Sequence, residues 1–196
     1  MKMYYMMATL LIGGLFFSGC SSSQQLVVEE EEGVKNVILL IGDGMGLAQM
    51  SSAYYFGEGT PNFSRFKSIG LHQNTPVGKV ITDSAAGATA FSSGKNSDNG
   101  AIGVDKDTMP LPTILEMASK AQKSTGVIAT SSLMHATPAS FYAHVKSRKL
   151  YEDIALDFVS APIDYAAGGG LKFFNNRSDK RDLVQELKGK GVVVST

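Results

Sequence analysis

The sequence is poor in cysteine, proline and histidine, and it carries no net charge. One cysteine, Cys20, stands among 196 residues, which excludes an internal disulfide and any zinc site built on several thiolates. A metal site must therefore rest on Asp, Glu, His and hydroxyl groups. Lys plus Arg and Asp plus Glu both number 18, so the electrostatic footprint of a nucleic-acid binder is missing, and any bound anion must be captured locally. Six prolines beside 21 glycines, with 43% hydrophobic and 18% charged residues, exclude disorder and collagen-like repeats. A glycine-rich globular fold is expected, of a length that suits one domain with a sizeable core.

The first 20 residues read as a targeting segment. Lys2 precedes an apolar run from Met6 to Phe17, too short for a membrane span, and the segment closes on Phe17-Ser18-Gly19-Cys20. The cysteine after Ser-Gly resembles a bacterial lipoprotein signal, in which it is acylated and becomes the first mature residue. An ordinary cleaved secretory signal is the alternative. SSSQQLVVEEEEG, residues 21 to 33, lacks periodicity and holds four consecutive glutamates, so it reads as an acidic flexible tether.

From residue 34 the pattern alternates strand and helix. Val34 to Ile41 is a nearly continuous apolar run of the kind found in buried parallel strands. Helices are expected over Leu47 to Phe56, Asn62 to Ile69, Ser84 to Ser93, Pro112 to Gln122, Leu150 to Ser160 and Lys180 to Lys188. Further strands are expected over Thr125 to Ser131, Ile163 to Ala167 and Val192 to Ser195. The alternation implies an α/β fold, a mainly parallel sheet sandwiched by helices, with function at the carboxyl ends of the strands.

Three segments carry chemistry. Gly42-Asp43-Gly44-Met45-Gly46 falls one residue short of a dinucleotide-binding spacing, and Asp43 would repel a pyrophosphate unless a cation intervened. Asp43 is thus either a metal ligand at a strand tip or a cap for the next helix. In TDSAAGATAFSSG, Ser84 falls in the first turn of a helix, where backbone N–H groups and the macrodipole favour an anion, and the small residues that follow permit close approach. Simple capping by Asp83 or Ser84 is the competing reading. His135 and Thr137 lie two residues apart in a loop, so in an extended segment both would project to one side as metal ligands or their supports. Arg148 offers a guanidinium fork suited to phosphate, whereas Lys146 and Lys149 are point charges and any single basic residue is by default a solvated one. His72 and His144 are read as structural or surface residues.

Together IGDGMG, TDSAAGATAFSSGKNSDNGAIGVD and HATPASFYAHVKSR resemble the alkaline phosphatase family, in order and in spacing, over residues 34 to 196. The resemblance implies hydrolysis of phosphate monoesters through a covalent phosphoserine, with two zinc ions and one magnesium. By motif, Ser84 resembles the nucleophile, Asp83 its positioning neighbour and Arg148 the clamp on the substrate phosphate. Asp43 resembles the carboxylate that bridges a zinc and the magnesium, Ser84 also faces a zinc, Thr137 resembles a magnesium ligand, and His135 occupies a place where the family varies between Asp and His. The family's other ligands, Asp and His residues and a Glu, lie in a carboxyl-terminal half, and no histidine follows His144 here. The chain is accordingly read as the amino-terminal part of such an enzyme, with negligible turnover and poor solubility expected of residues 34–196 alone.

Competing functions are a phosphodiesterase or other esterase of the same superfamily, and a non-catalytic lipid-anchored fragment. The expected partners are small phosphate monoesters and, through Cys20, a membrane; no nucleic acid is expected, and a homodimer is kept as an assembly to test. The expected location is the periplasm or outer membrane of a bacterium. If Cys20 is acylated, metabolic labelling with a fatty acid will mark the protein and fail to mark Cys20→Ala; equal labelling of both would remove the lipid anchor.

Overall fold

The computed structural model describes residues 35–196. The signal, the tether and Cys20 lie outside the described residues. The chain divides into two units, Met1–Leu40 and Ile41–Thr196. In the second, the elements run α1 (Leu47–Phe56), a 3-10 turn (Asn62–Arg65), α2 (Ser84–Ser93), α3 (Ile114–Lys120), β1 (Gly126–Ser132), α4 (Ala136–Ala139), α5 (Tyr151–Ser160), β2 (Tyr165–Gly169), α6 (Lys172–Asn175) and α7 (Leu183–Gly189).

The α/β class holds, and β1 and β2 form a parallel pair in which Val127 faces Ala166 and Ile128 faces Ala167. Parallel strands require a crossover, and α4 and α5 occupy it. Beneath the pair lies a core centred on Ile102, Met134, Ile154 and Leu183, all fully buried.

Two expected strands are corrected. The described part of the run Val34 to Ile41 forms no strand, and Val37, Ile38, Leu39 and Leu40 are exposed. Val192 to Ser195 is likewise irregular, held where the Val192 N–H donates to the Leu187 carbonyl and where Val194 packs against the core. Apolar, β-branched composition gives a segment the propensity for a ladder, but a strand exists only with a partner, and neither segment has one among the described residues. The helix expected over Asn62 to Ile69 shrinks to the single 3-10 turn, closed by the Phe66 N–H on the Phe63 carbonyl. A one-turn helix, α4, stands where a loop was expected, and a second, α6, where no element was expected, since four residues are too few to show a period.

The polar residues that fix α2 and α3 are buried. Thr89 on α2 accepts the Gly103 N–H at 3.0 Å and meets Ser140, just past α4, at 3.3 Å. Thr113 caps α3 in a reciprocal box: its hydroxyl accepts the Glu116 N–H at 3.2 Å while Glu116 accepts the Thr113 N–H at 2.8 Å. The same hydroxyl donates to the Phe141 carbonyl at 2.7 Å. His144 then bridges the Gly103 carbonyl and the second Glu116 oxygen, at 2.7 and 2.9 Å, so it is structural, as expected.

Burial alone would raise the Glu116 carboxyl, but the Thr113 N–H and His144 outweigh it and hold it below its ordinary value of 4.5. A lowered folded value means that the stabilisation is present above pH 4.5 and is lost as pH falls through the folded value. Denaturant midpoints should therefore show Glu116→Gln less stable than the parent at neutral pH, with the gap closing in acid. Thr113→Ala, which removes the cap and the donor to Phe141, should cost about 2 kcal/mol.

Candidate active site

The glycine-rich turn presents Asp43 to solvent. The Met45 N–H closes on the Gly42 carbonyl at 3.1 Å, and Gly44 takes a φ of +70°, which the absence of a side chain permits. Asp43 then receives two hydroxyls from distant parts of the chain. Ser84 Oγ donates to Oδ1 at 3.0 Å, and Thr137 Oγ1 donates to Oδ2 at 2.8 Å.

Ser84 is the first residue of α2, and Asp83 is its N-cap. One Asp83 oxygen accepts the Ala86 N–H at 3.0 Å, and the other accepts from Arg148 Nη1 at 3.0 Å. Asp83 can therefore both cap α2 and hold Arg148, because a carboxylate has an oxygen for each. Burial works to raise the Asp83 carboxyl, but the Ala86 and Gly100 N–H groups and the Arg148 guanidinium lower it below 3.8, so it is ionised at neutral pH. Ala85, Ala86, Gly87 and Ala88 are buried, so the small residues of α2 let the helix sink into the protein and leave its first turn open.

Sequence reasoning assigned no role to Asn99. Its Oδ1 accepts the Asp83 N–H at 3.0 Å and its Nδ2 donates to the Ile81 carbonyl at 2.9 Å, holding the approach to α2 extended. The neighbouring Gly100 carbonyl accepts the Arg148 N–H at 2.6 Å, so one loop carries the backbones of both members of the Asp83–Arg148 pair. An Asn-Gly dipeptide favours a turn, but the reach of Asn99 to residues 81 to 83 is a tertiary contact without a local signal.

His135 and Thr137 do not share one extended face. His135 is the N-cap of α4 and Thr137 lies within that helix, so Thr137 turns to Asp43 while the His135 ring stands 6.4 Å from Tyr151. The cause is Pro138, whose fixed φ suits the first turn of a helix. Lys146 and Lys149 are exposed, and His72 packs against Phe91 at 4.5 Å.

The donor set bears on which cation would fit. Asp43 with the Ser84 and Thr137 hydroxyls is an all-oxygen set, suited to a hard ion such as Mg²⁺. Zinc favours imidazole, yet His144 is bonded to Gly103 and Glu116, and no group of three or more His, Cys, Asp or Glu gathers among the described residues. The described residues thus fit one hard cation and do not by themselves build a pair of zinc sites.

A family model described as alkaline phosphatase matches residues 34–194. The chain is 39% identical over 173 residues to alkaline phosphatase 3 of Bacillus subtilis, covering 81% of this chain and 37% of that enzyme. It superposes on the alkaline phosphatase of the Antarctic bacterium TAB5 with a TM-score of 0.80 and 52% identity, over 82% of this chain and 47% of that one. A variant of the TAB5 enzyme with a histidine changed to aspartate, solved with Mg bound in its M3 site, matches at 50% identity and a TM-score of 0.80, over 82% of this chain and 46% of that one. This chain spans from about a third to half the length of these relatives. With the three motifs meeting in space and the match extending over nearly all of the described residues, the chain belongs to the alkaline phosphatase family.

Proposed function

We propose that the site hydrolyses phosphate monoesters with Ser84 as nucleophile. The observation that carries this is the position of the Ser84 hydroxyl at the amino end of α2, hydrogen-bonded to Asp43 and one residue from the Asp83–Arg148 pair. Ser84 Oγ attacks phosphorus, the bond to the ester oxygen breaks, and the alcohol leaves with a proton; water then cleaves the phosphoserine and restores the hydroxyl. Asp43 orients the Ser84 hydroxyl through its proton. Arg148 holds equatorial phosphate oxygens with the donors that Asp83 does not use, and Asp83 keeps the guanidinium in place.

Asp43 and Thr137 would hold a magnesium ion, with His135 at the edge of that site; the TAB5 variant with Mg in its M3 site supports a cation position of this kind. Divalent cations supply charge neutralisation at the reacting oxygens when bound. Two zinc ions remain part of the family reading, and the imidazoles they favour are not gathered among the described residues. Export through residues 1–20, with anchoring at Cys20, would place the site outside the cytoplasm.

The test places residues 34–196 in the matching segment of the TAB5 enzyme and traps the phosphoenzyme in acid with radiolabelled substrate. Ser84→Ala should abolish the label. Arg148→Ala should keep the label while weakening inhibition by phosphate about 10- to 100-fold, the loss of a charge-assisted clamp. Label persisting on Ser84→Ala would show that another group is the nucleophile.

A further inference from the structure

The Asp83–Arg148 pair joins residues 65 positions apart, and both side chains are about a third exposed. Such an ion pair fixes a long side chain only weakly, because its small attraction is offset by the rotamer freedom that Arg148 surrenders. The backbone has to set where the guanidinium stands.

The turn from Asp98 to Ala101 is placed to do so. It closes where the Ala101 N–H donates to the Asp98 carbonyl at 3.0 Å, with Asn99 and Gly100 at its centre. The Asn99 side chain holds the approach to α2 through the Asp83 N–H and the Ile81 carbonyl. Gly100 touches both members of the pair: its N–H bonds the Asp83 carboxylate, and its carbonyl accepts the Arg148 N–H at 2.6 Å. Gly100 takes a φ of +85°, which suits the third residue of a turn and which other residues disfavour. A Cβ there would meet nothing within 4 Å, so alanine at this position would strain the backbone without crowding a neighbour.

The turn is anchored on the core. Two residues on, the Ile102 N–H donates to the Val145 carbonyl at 2.9 Å and the Ile102 carbonyl accepts the Val145 N–H at 3.0 Å. The Gly103 N–H donates to the buried Thr89 hydroxyl of α2 at 3.0 Å. One loop thus grips α2 at its start and middle, together with the segment that leads to Arg148. We propose that Asn99 and Gly100 are positioning residues, whose turn sets the spacing between the first turn of α2 and the Arg148 guanidinium and through it the affinity for phosphate. This rests on the phosphomonoester reading above, in which Arg148 holds the phosphate.

The test uses the full chain with Mg²⁺ present and reads two quantities. Relaxation of the Arg148 side-chain Nε–H, measured by ¹⁵N NMR without phosphate, reports the order of the guanidinium. Calorimetric titration reports the affinity for inorganic phosphate. Asn99→Ala and Gly100→Ala should each lower the order of Arg148 and weaken phosphate binding about fivefold, the effect of one hydrogen bond. Adding Asn99→Ala to Arg148→Ala should weaken binding no further, a non-additivity that a general loss of stability would not produce. Asn96→Ala, at an exposed position three residues before Asn99, should change neither quantity. Unchanged order of Arg148 in both variants, or losses that add in the double variant, overturns the positioning role. If Arg148 loosens as expected but phosphate fails to bind the parent, or binds Arg148→Ala undiminished, the phosphate reading is overturned and the affinity claim with it.

Discussion

The candidate site depends on one carboxylate shared between two hydroxyls. Asp43 accepts hydrogen bonds from Ser84, 41 residues away, and from Thr137, 94 residues away, and each occupies one oxygen. Both bonds are solvent-exposed, so their net contribution to stability is small. They persist because the rest of the unit holds the three segments together. The buried contact of Thr89 with Ser140 ties α2 to the end of α4 and fixes the spacing between Ser84 and Thr137. The antiparallel bridge between Ile102 and Val145 does the same for the loop that leads to Arg148.

The geometry also explains how one acidic residue could stand at the proposed anion site without repelling the anion. Asp83 is saturated by the Ala86 N–H and by Arg148, so its charge is neutralised within the pair. The Ser84 hydroxyl then lies between that neutralised pair and the exposed carboxylate of Asp43, where a divalent cation would reverse the local charge. The proposed phosphate capture by a chain of zero net charge would then be a local arrangement, consistent with the balanced composition.

The sequence showed most plainly what local chemistry decides. Both α1 and α2 fall on the residues expected, α2 because Asp83 caps its start and Gly94, at a φ of +68°, ends it in the left-handed conformation. The segments that meet at the site were legible as motifs, and Asp43, Ser84, Thr137, Asp83 and Arg148 converge. What was not legible depends on distant partners. The strands expected at Val34 to Ile41 and Val192 to Ser195 needed neighbours that composition does not supply, and His135 left the expected face because Pro138 lies within a helical turn. Asn99 escaped notice because its value lies in a hydrogen bond spanning 16 residues.

The central proposal is that Asp43 and Thr137 hold one hard cation beside the Ser84 hydroxyl. Paramagnetic Mn²⁺, a hard-ion surrogate for Mg²⁺, tests it in the full chain through line broadening of backbone amide signals. The account predicts that signals around residues 43, 84 and 137 broaden together at one Mn²⁺ concentration, and that Asp43→Asn abolishes the effect at all three. Broadening confined to other surfaces, or unchanged in Asp43→Asn, would contradict it.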